Sequence, residues 1–351
     1  MDTQRLQLLS TLLESNSSKQ IAIQLNVAPG TVTRWLQLKN VPPAYQFDLM
    51  KMANVDINYA NYTFKEKDQF FTPISTAEKC YARFLKLLGE LGENESKYTY
   101  IEPSAGNGNF LKRFPSDRRI GLDIEPRDDE IARADYLTWK PPASSSSSKY
   151  IVFGNPPFGL RGQLALKFIN YSYEFADYVC FILPQLFESD GKGAPRKRVL
   201  GYHLIHSEKI TTDFVDPDER HIKVECIFQV WSKHHTNEIY DIREIDTSVV
   251  KIYSLSDGGT PSTTRNKSMF HSCHAYLPST CFGRENMKYY TSFNALPGKK
   301  GYGIVFQKDT EENLRKFAQI DWANVAFLST NSAYNIRTSQ ISQQFAEHSC
   351  R

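Results

Sequence analysis

The chain has 351 residues, 40% of them apolar and 23% charged, and a formal net charge of +3. That length suggests two or three folding units, and the composition is that of a globular protein, not a disordered one. No apolar run approaches the roughly 20 residues of a membrane span, and a charge this small makes a polyanionic partner tolerable without demanding one.

Met1 to Leu13 carries polar residues throughout and lacks the apolar core of a signal peptide, so an intracellular protein with no membrane partner is expected. The six cysteines (Cys80, Cys180, Cys226, Cys273, Cys281 and Cys350) form no C-x-x-C pair. Cys180 and Cys226 lie in apolar runs that suit reduced, buried thiols. His271, Cys273, His274 and Cys281 are zinc-ligand types, but their spacing matches no standard site and no metal is expected.

Residues 1–60 read as a compact helical unit. Leu6, Leu8, Leu9, Leu12 and Leu13 have helical spacing, and Ser17 or Ser18 caps a second helix running to Leu25. After the turn Asn26-Val27-Ala28, Pro29 opens a third helix in which Val32 and Trp35 point inward and Thr31, Thr33 and Arg34 outward. This pattern resembles the helix-turn-helix of DNA-binding repressors, whose second helix enters the major groove. It suits a purely structural helical cap as well.

Val41-Pro42-Pro43 ends or bends that unit. A catalytic domain is expected over 61–245. The segment Thr76 to Leu91 is an amphipathic helix, with Cys80, Phe84, Leu87, Leu88 and Leu91 at three- and four-residue steps. An α/β pattern follows. The strand Tyr98 to Ile101 leads into Glu102-Pro103-Ser104-Ala105-Gly106-Asn107-Gly108, with a helix expected after the loop. A second strand ends in Asp123, a third apolar stretch precedes Asp135-Tyr136, and the run Ser144 to Ser148 reads as a surface linker. Tyr150-Ile151-Val152-Phe153 then delivers Gly154-Asn155-Pro156-Pro157-Phe158, a loop stiffened by two prolines. A helix over 164–175 and the apolar strand Tyr178 to Leu183 complete an α/β, doubly wound, mostly parallel sheet. His221 to Trp231 reads as a strand at the sheet edge. The interesting loops all fall at strand C-terminal ends, where such sheets bind ligands.

Gly191 to Arg198 is a basic loop (Lys192, Arg196, Lys197, Arg198) suited to a DNA backbone or simply to solvent. From 246 to 351 there are 12 Lys and Arg against 8 Asp and Glu. Arg284, Lys288, Lys299 and Lys300 there interleave with aromatics in a manner compatible with nucleic-acid contact.

Glycines at 106 and 108 let a ligand approach the backbone, but Leu111 stands where a dinucleotide fingerprint needs its third glycine, which disfavours a pyrophosphate. Asp123 lies 21 positions after Glu102 (123 − 102), an offset at which a carboxylate can accept from ribose hydroxyls. Asp135 could accept from an adenine amino group with Tyr136 beside the ring. Adenine, ribose and an amino-acid tail together fit these positions.

The residues Phe71-Thr72-Pro73, Glu102 to Gly108, Asp123, Asp135-Tyr136 and Asn155-Pro156-Pro157-Phe158 resemble the motifs of S-adenosylmethionine-dependent N6-adenine DNA methyltransferases of the gamma motif order. The resemblance covers roughly 68–231. It implies a Rossmann-like methyltransferase core, S-adenosylmethionine as cofactor, double-stranded DNA as partner, and a target-recognition region over 246–351. Carried over, Phe71, Thr72 and Pro73 line the methionine end, and Glu102, Ala105, Gly106, Asn107 and Gly108 hold the amino-acid part. Asp123 takes the ribose, and Asp135 with Tyr136 takes the adenine. Asn155 and the Pro156 carbonyl accept from the target amino group, Pro157 stiffens the loop, and Phe158 stacks on a flipped base. A second aromatic of the base pocket is sought among Phe214, His221 and Phe228. The implied setting is a restriction-modification or phage-type system, in which a cognate endonuclease acts on the same site without direct binding. The same loop chemistry also serves guanine N2 in RNA, cytosine N4 and glutamine side chains. A helix-turn-helix regulator with an inactive methyltransferase body is the non-enzyme alternative.

Overall fold

The structure is a computed structural model that describes residues 2–25, 27–142, 149–189, 194–241, 248–260, 263–328 and 332–345. The serine run, Lys192 and Cys350 lie outside these residues.

Four helices make the N-terminal unit: α1 (Asp2–Ser15), α2 (Ser18–Gln24), α3 (Pro29–Leu38) and α4 (Gln46–Met52). Ser17 caps α2 in a reciprocal box. Its Oγ accepts from the Gln20 N–H at 3.3 Å, and Gln20 Oε1 accepts from the Ser17 N–H at 2.8 Å. Leu9, Ile21, Ala22, Leu25, Val32, Trp35 and Leu49 close one core between the helices. Arg5 is buried beside it, its Nε donating to the Val41 carbonyl at 2.8 Å. Sequence alone left open whether Val41-Pro42-Pro43 ends or bends the unit. The chain makes a 3-10 turn there and runs on into α4, which is too short for apolar periodicity to betray.

The central unit opens with α5 (Ile74–Glu90) and holds β1 (Tyr98–Glu102), β2 (Arg119–Asp123), β3 (Ile131–Arg133), β4 (Lys149–Gly154), α6 (Gln163–Ser172), β5 (Ala176–Pro184), β6 (His203–Val215) and β7 (His221–Ser232). They form one sheet in the order β3-β2-β1-β4-β5-β7-β6. The first five strands are parallel, and β7 runs antiparallel to both β5 and β6. Alternate residues feed two cores. Tyr100, Phe153, Cys180 and Phe228 face α5, and Ile101, Val152, Phe181 and Trp231 face α6. The helix expected after the glycine loop is absent. Only a 3-10 turn, Leu111–Arg113, forms before Pro115, whose ring and missing N–H oppose helical continuation. The order reverses between β1 and β4, which opens a crevice at their C-terminal ends.

The C-terminal region contains β8 (Val250–Ser256), β9 (Ala275–Pro278), β10 (Thr280–Phe282), β11 (Lys300–Phe306), α7 (Thr310–Gln319), α8 (Trp322–Val325), β12 (Phe327–Leu328), β13 (Ala333–Asn335) and α9 (Thr338–Gln343). Two three-stranded sheets, β8-β11-β9 and β10-β13-β12, close around Trp322, Phe317, Ile304 and Leu277. The Leu328 N–H donates to Gln185 Oε1 at 3.1 Å, so β12 meets the segment that follows β5. No helix among the described residues is long and apolar enough to cross a membrane.

Candidate active site

A cleft partly open to solvent lies at the ends of β1, β2 and β4. It collects Phe71, Thr72, Glu102, Ala105, Gly106, Asn107, Asp123, Asn155 and Pro157, which sequence had placed at a single site. Pro73, Gly108, Pro156 and Phe158 adjoin these in the chain without lining the cleft.

Each strand delivers a carboxyl or an amide. Glu102, at the end of β1, is buried, and its Oε2 accepts from the Leu111 N–H at 2.6 Å. Burial pushes its carboxyl well above the usual range; the Leu111 N–H opposes this and the nearby Asp123 adds to it. Asp123 ends β2 and closes the glycine loop, its Oδ2 accepting from Gly106 N–H at 2.7 Å and Oδ1 from Glu125 N–H at 2.8 Å. Gly106 has φ 55°, and a Cβ there would come within 2.9 Å of the Phe71 ring. The loop and that ring therefore interlock only because position 106 lacks a side chain. Phe71 is itself held by Val215 of β6, with N–H to carbonyl distances of 2.8 and 3.0 Å.

Asn155 follows β4. Its carbonyl accepts from Ser104 Oγ at 3.1 Å and its Nδ2 donates to the Phe70 carbonyl at 3.4 Å. Its Oδ1 is buried with no hydrogen-bond partner among the described residues, as are Thr72 Oγ1 and Gln69 Oε1. Buried acceptors without donors are costly in a finished structure. Three of them on residues lining one cleft mark places for donors from a ligand. Phe158 is half-buried against the core on the α5 side.

Two expected cofactor residues lie elsewhere. Tyr136 is fully buried, stacked on Phe168 at 5.1 Å, with its hydroxyl 2.7 Å from Ser172 Oγ. Asp135 is taken by Lys51 of α4 at 2.6 Å and by the Leu137 N–H at 3.1 Å, and it does not line the cleft. Ile124 supplies apolar surface to the cleft instead. Of the aromatics considered for a second wall of the base pocket, Phe214 and Phe228 are core residues, and only His221 is exposed.

Sequence reasoning missed Lys67, Asp68, Gln69, Phe70, Ser104, Asn109 and Glu125. Lys67 pairs with Glu125 at 2.8 Å, and Asn109 Nδ2 donates to the Thr72 carbonyl at 2.7 Å. Adjacency to Phe71-Thr72-Pro73 was the one available signal for residues 67–70.

The expected DNA contacts are scattered. Thr33 and Arg34 are exposed on α3 and Thr31 is half-exposed. Pro195–Arg198 is an ordered 3-10 turn, not an open loop, and Arg198 donates to Gln163 Oε1 at 3.0 Å while Lys197 stays exposed. Arg284 is bound to Asp321 at 2.6 Å and to Asn324 at 2.8 Å, so its charge ties the turn after β10 to α8. Lys288 lies 5.9 Å from the Tyr290 ring, and Lys299 and Lys300 are exposed where β11 begins. His274 accepts from the Phe306 N–H at 3.0 Å, a structural use of that ring.

The cofactor these groups fit is S-adenosylmethionine. Its ammonium and ribose hydroxyls are donors for the carboxyls and for the unpartnered oxygens of Gln69 and Thr72, and its adenine suits the apolar edge at Ile124.

No family model matches the chain. Over 106 residues it is 30% identical to the Type II methyltransferase M.CvrRI of Paramecium bursaria Chlorella virus XZ-6E, a match covering 26% of this chain and 24% of that protein. The chain thus spans about a quarter of the length of the curated relative it matches. Among solved structures, the Type IIL restriction-modification enzyme MmeI in complex with DNA aligns over 82% of this chain and 57% of its own, at 9% identity and a TM-score of 0.36. A SAM-dependent methyltransferase from Anabaena variabilis ATCC 29413 aligns over 50% and 96%, at 11% identity and a TM-score of 0.29. The chain is similar to S-adenosylmethionine-dependent methyltransferases, and its own strand order is that of a doubly wound, mostly parallel, Rossmann-like sheet.

Proposed function

We propose that the protein is a site-specific DNA adenine-N6 methyltransferase of a restriction-modification or phage-type system. The observation that carries this reading is the buried, unpartnered Oδ1 of Asn155, a residue that lines a cleft whose groups fit S-adenosylmethionine. When bound, S-adenosylmethionine supplies an electrophilic methyl group.

The chain's own residues do the rest. An exocyclic amine of adenine is a poor nucleophile because its lone pair is delocalised into the ring. Asn155 Oδ1 and the Pro156 carbonyl accept hydrogen bonds from its two N–H groups, which favours pyramidal nitrogen and stabilises the positive charge that develops there until the methylated nitrogen releases one proton to solvent. That stabilisation is realised mostly in the transition state. Phe158 stacks on the extruded base and offsets part of the few kcal/mol needed to unpair it. Glu102 and the glycine loop hold the amino-acid end of the cofactor, Thr72 and Phe71 close over it, and Asp123 takes the ribose. No side-chain nucleophile is required. Burial raises the Cys80 and Cys180 thiols, which leaves them in the unreactive form.

Duplex DNA as the substrate is supported by the α2–α3 pair, whose sequence resembles a helix-turn-helix, by the C-terminal region attached to the segment after β5, and by the Type II methyltransferase to which the chain is similar. Residues 15–47 contain no Asp or Glu, while Lys19, Arg34 and Lys39 supply positive charge around α2 and α3. Such a face suits a phosphate backbone. The test is transfer of a labelled methyl group to duplex DNA, RNA and protein substrates, followed by sequencing of methylated adenines. Label appearing in RNA or protein but in no duplex would sink the proposal.

A further inference from the structure

The short segment ahead of Phe71 does more than line the cleft. Pro156 and Pro157 lack N–H groups, so the first backbone donors after Asn155 are those of Phe158 and Gly159. Both turn to the same carboxylate. Asp68 Oδ2 accepts from the Gly159 N–H at 2.7 Å across 91 positions of sequence, and the neighbouring Phe158 N–H faces and favours the same carboxylate. Asp68 has φ 54°, a left-handed conformation that an aspartate adopts at small cost and that a β-branched residue resists.

The strap continues along the chain. Two residues on, the Phe70 carbonyl accepts from Asn155 Nδ2, which leaves Oδ1 as the free face of that amide. One residue further, Phe71 is tied to Val215 of β6. Residues 68–71 therefore grip both ends of the Asn-Pro-Pro-Phe loop and anchor it to the sheet edge. Ser104 braces the same loop from the other side.

We propose that Asp68 is the positioning residue of the amino-acceptor loop: by taking the N–H groups of Phe158 and Gly159, it fixes the Phe158 ring and the Asn155 oxygen relative to the cofactor cleft. The assignment rests on the methyl-transfer reading for its functional consequence, but the loop geometry can be tested without activity. Asp68 touches none of the reacting atoms. It acts through the loop, where a displacement of about 1 Å is enough to cost on the order of 10²-fold in rate.

The test uses the full chain with Asp68→Ala and Asp68→Asn. Amide hydrogen exchange is followed by mass spectrometry in peptides covering 158–164, with β1 and β5 peptides as internal references. Asp68→Ala is expected to speed exchange at the loop about tenfold or more and to leave β1 and β5 unchanged. In single-turnover methyl transfer at saturating cofactor it is expected to slow the step by about 10²-fold, with cofactor affinity within about threefold. Asp68→Asn, which keeps an acceptor oxygen, recovers part of both effects. Unchanged loop exchange in Asp68→Ala would overturn the proposal. So would exchange that rises equally in β1 and β5, or equal losses in the two variants. A wild-type chain that methylates no substrate would defeat the functional reading, and the exchange comparison alone would then decide the role of Asp68.

Discussion

Lys51 and Asp135 form an ion pair, with 2.6 Å between Nζ and Oδ2, that joins α4 of the helical unit to the loop after β3. A second pair of opposite polarity, Asp48 with Lys167 of α6 at 3.2 Å, lies on the same junction. Both are partly exposed, so each contributes at most about 1 kcal/mol. Their effect is orientation: α4 is held against the central unit while the outer face of α3 stays open.

Asp135→Ala is therefore expected to leave S-adenosylmethionine affinity within about threefold of wild type, measured by titration calorimetry. It should also loosen the helical unit, visible as faster proteolysis after residue 52. A tenfold or greater loss of cofactor affinity would return Asp135 to the adenine site.

Tyr136→Phe removes a buried hydroxyl that pairs with Ser172. One net hydrogen bond of this kind is worth about 1 kcal/mol, so the thermal midpoint should fall by a few degrees with cofactor affinity unchanged. An intact midpoint with weakened cofactor binding would mean that the ring reaches the cleft after all.

These two residues show where sequence reasoning reaches its limit. Glu102, Asp123 and Asn155 were legible because each ends an apolar strand, and parallel sheets bring such ends together. Asp135 and Tyr136 looked equivalent, but β3 is only three residues long and the chain turns at once, the Asp135 side chain accepting from Leu137 N–H. That turn sends the Tyr136 ring into the core beside α6. Asp68 and Phe70 were invisible for a different reason: their partners Gly159 and Asn155 lie 91 and 85 positions away, and no periodicity records such contacts. The C-terminal region, built of short antiparallel strands, offered composition and little else.

Asn155→Ala should abolish most turnover while sparing the cofactor. Loss of one preorganised partner of developing charge typically costs about 10²–10³-fold, and single-turnover rates at saturating cofactor measure it directly. The S-adenosylmethionine dissociation constant should stay within a few-fold. Parallel losses in both quantities would place Asn155 in cofactor binding instead.

Arg34→Ala tests the exposed face of α3. If Arg34 meets a phosphate, DNA affinity should fall for all duplex sequences alike, and the slope of log affinity against log salt should shrink by about 1. An unchanged slope would leave α2 and α3 as a structural cap.

Glu102 makes the pH dependence of cofactor binding predictable in sign. Its carboxyl lies well above its ordinary value of 4.5 in the free protein, chiefly through burial. Between that value and its raised one, the folded chain holds a proton that the unfolded chain has lost. Stability of the free protein therefore declines as pH rises through this window, since the folded state binds more protons. A cofactor ammonium favours the ionised carboxylate and offsets its desolvation, so binding releases the proton. Affinity should rise with pH above the ordinary carboxylate value and level off above the raised one. Glu102→Gln, which cannot ionise, should bind more weakly at neutral pH and flatten both the affinity and the stability profiles. Calorimetry in buffers of different ionisation enthalpy counts the released proton, and a pH slope that survives in Glu102→Gln would assign the coupling to another group.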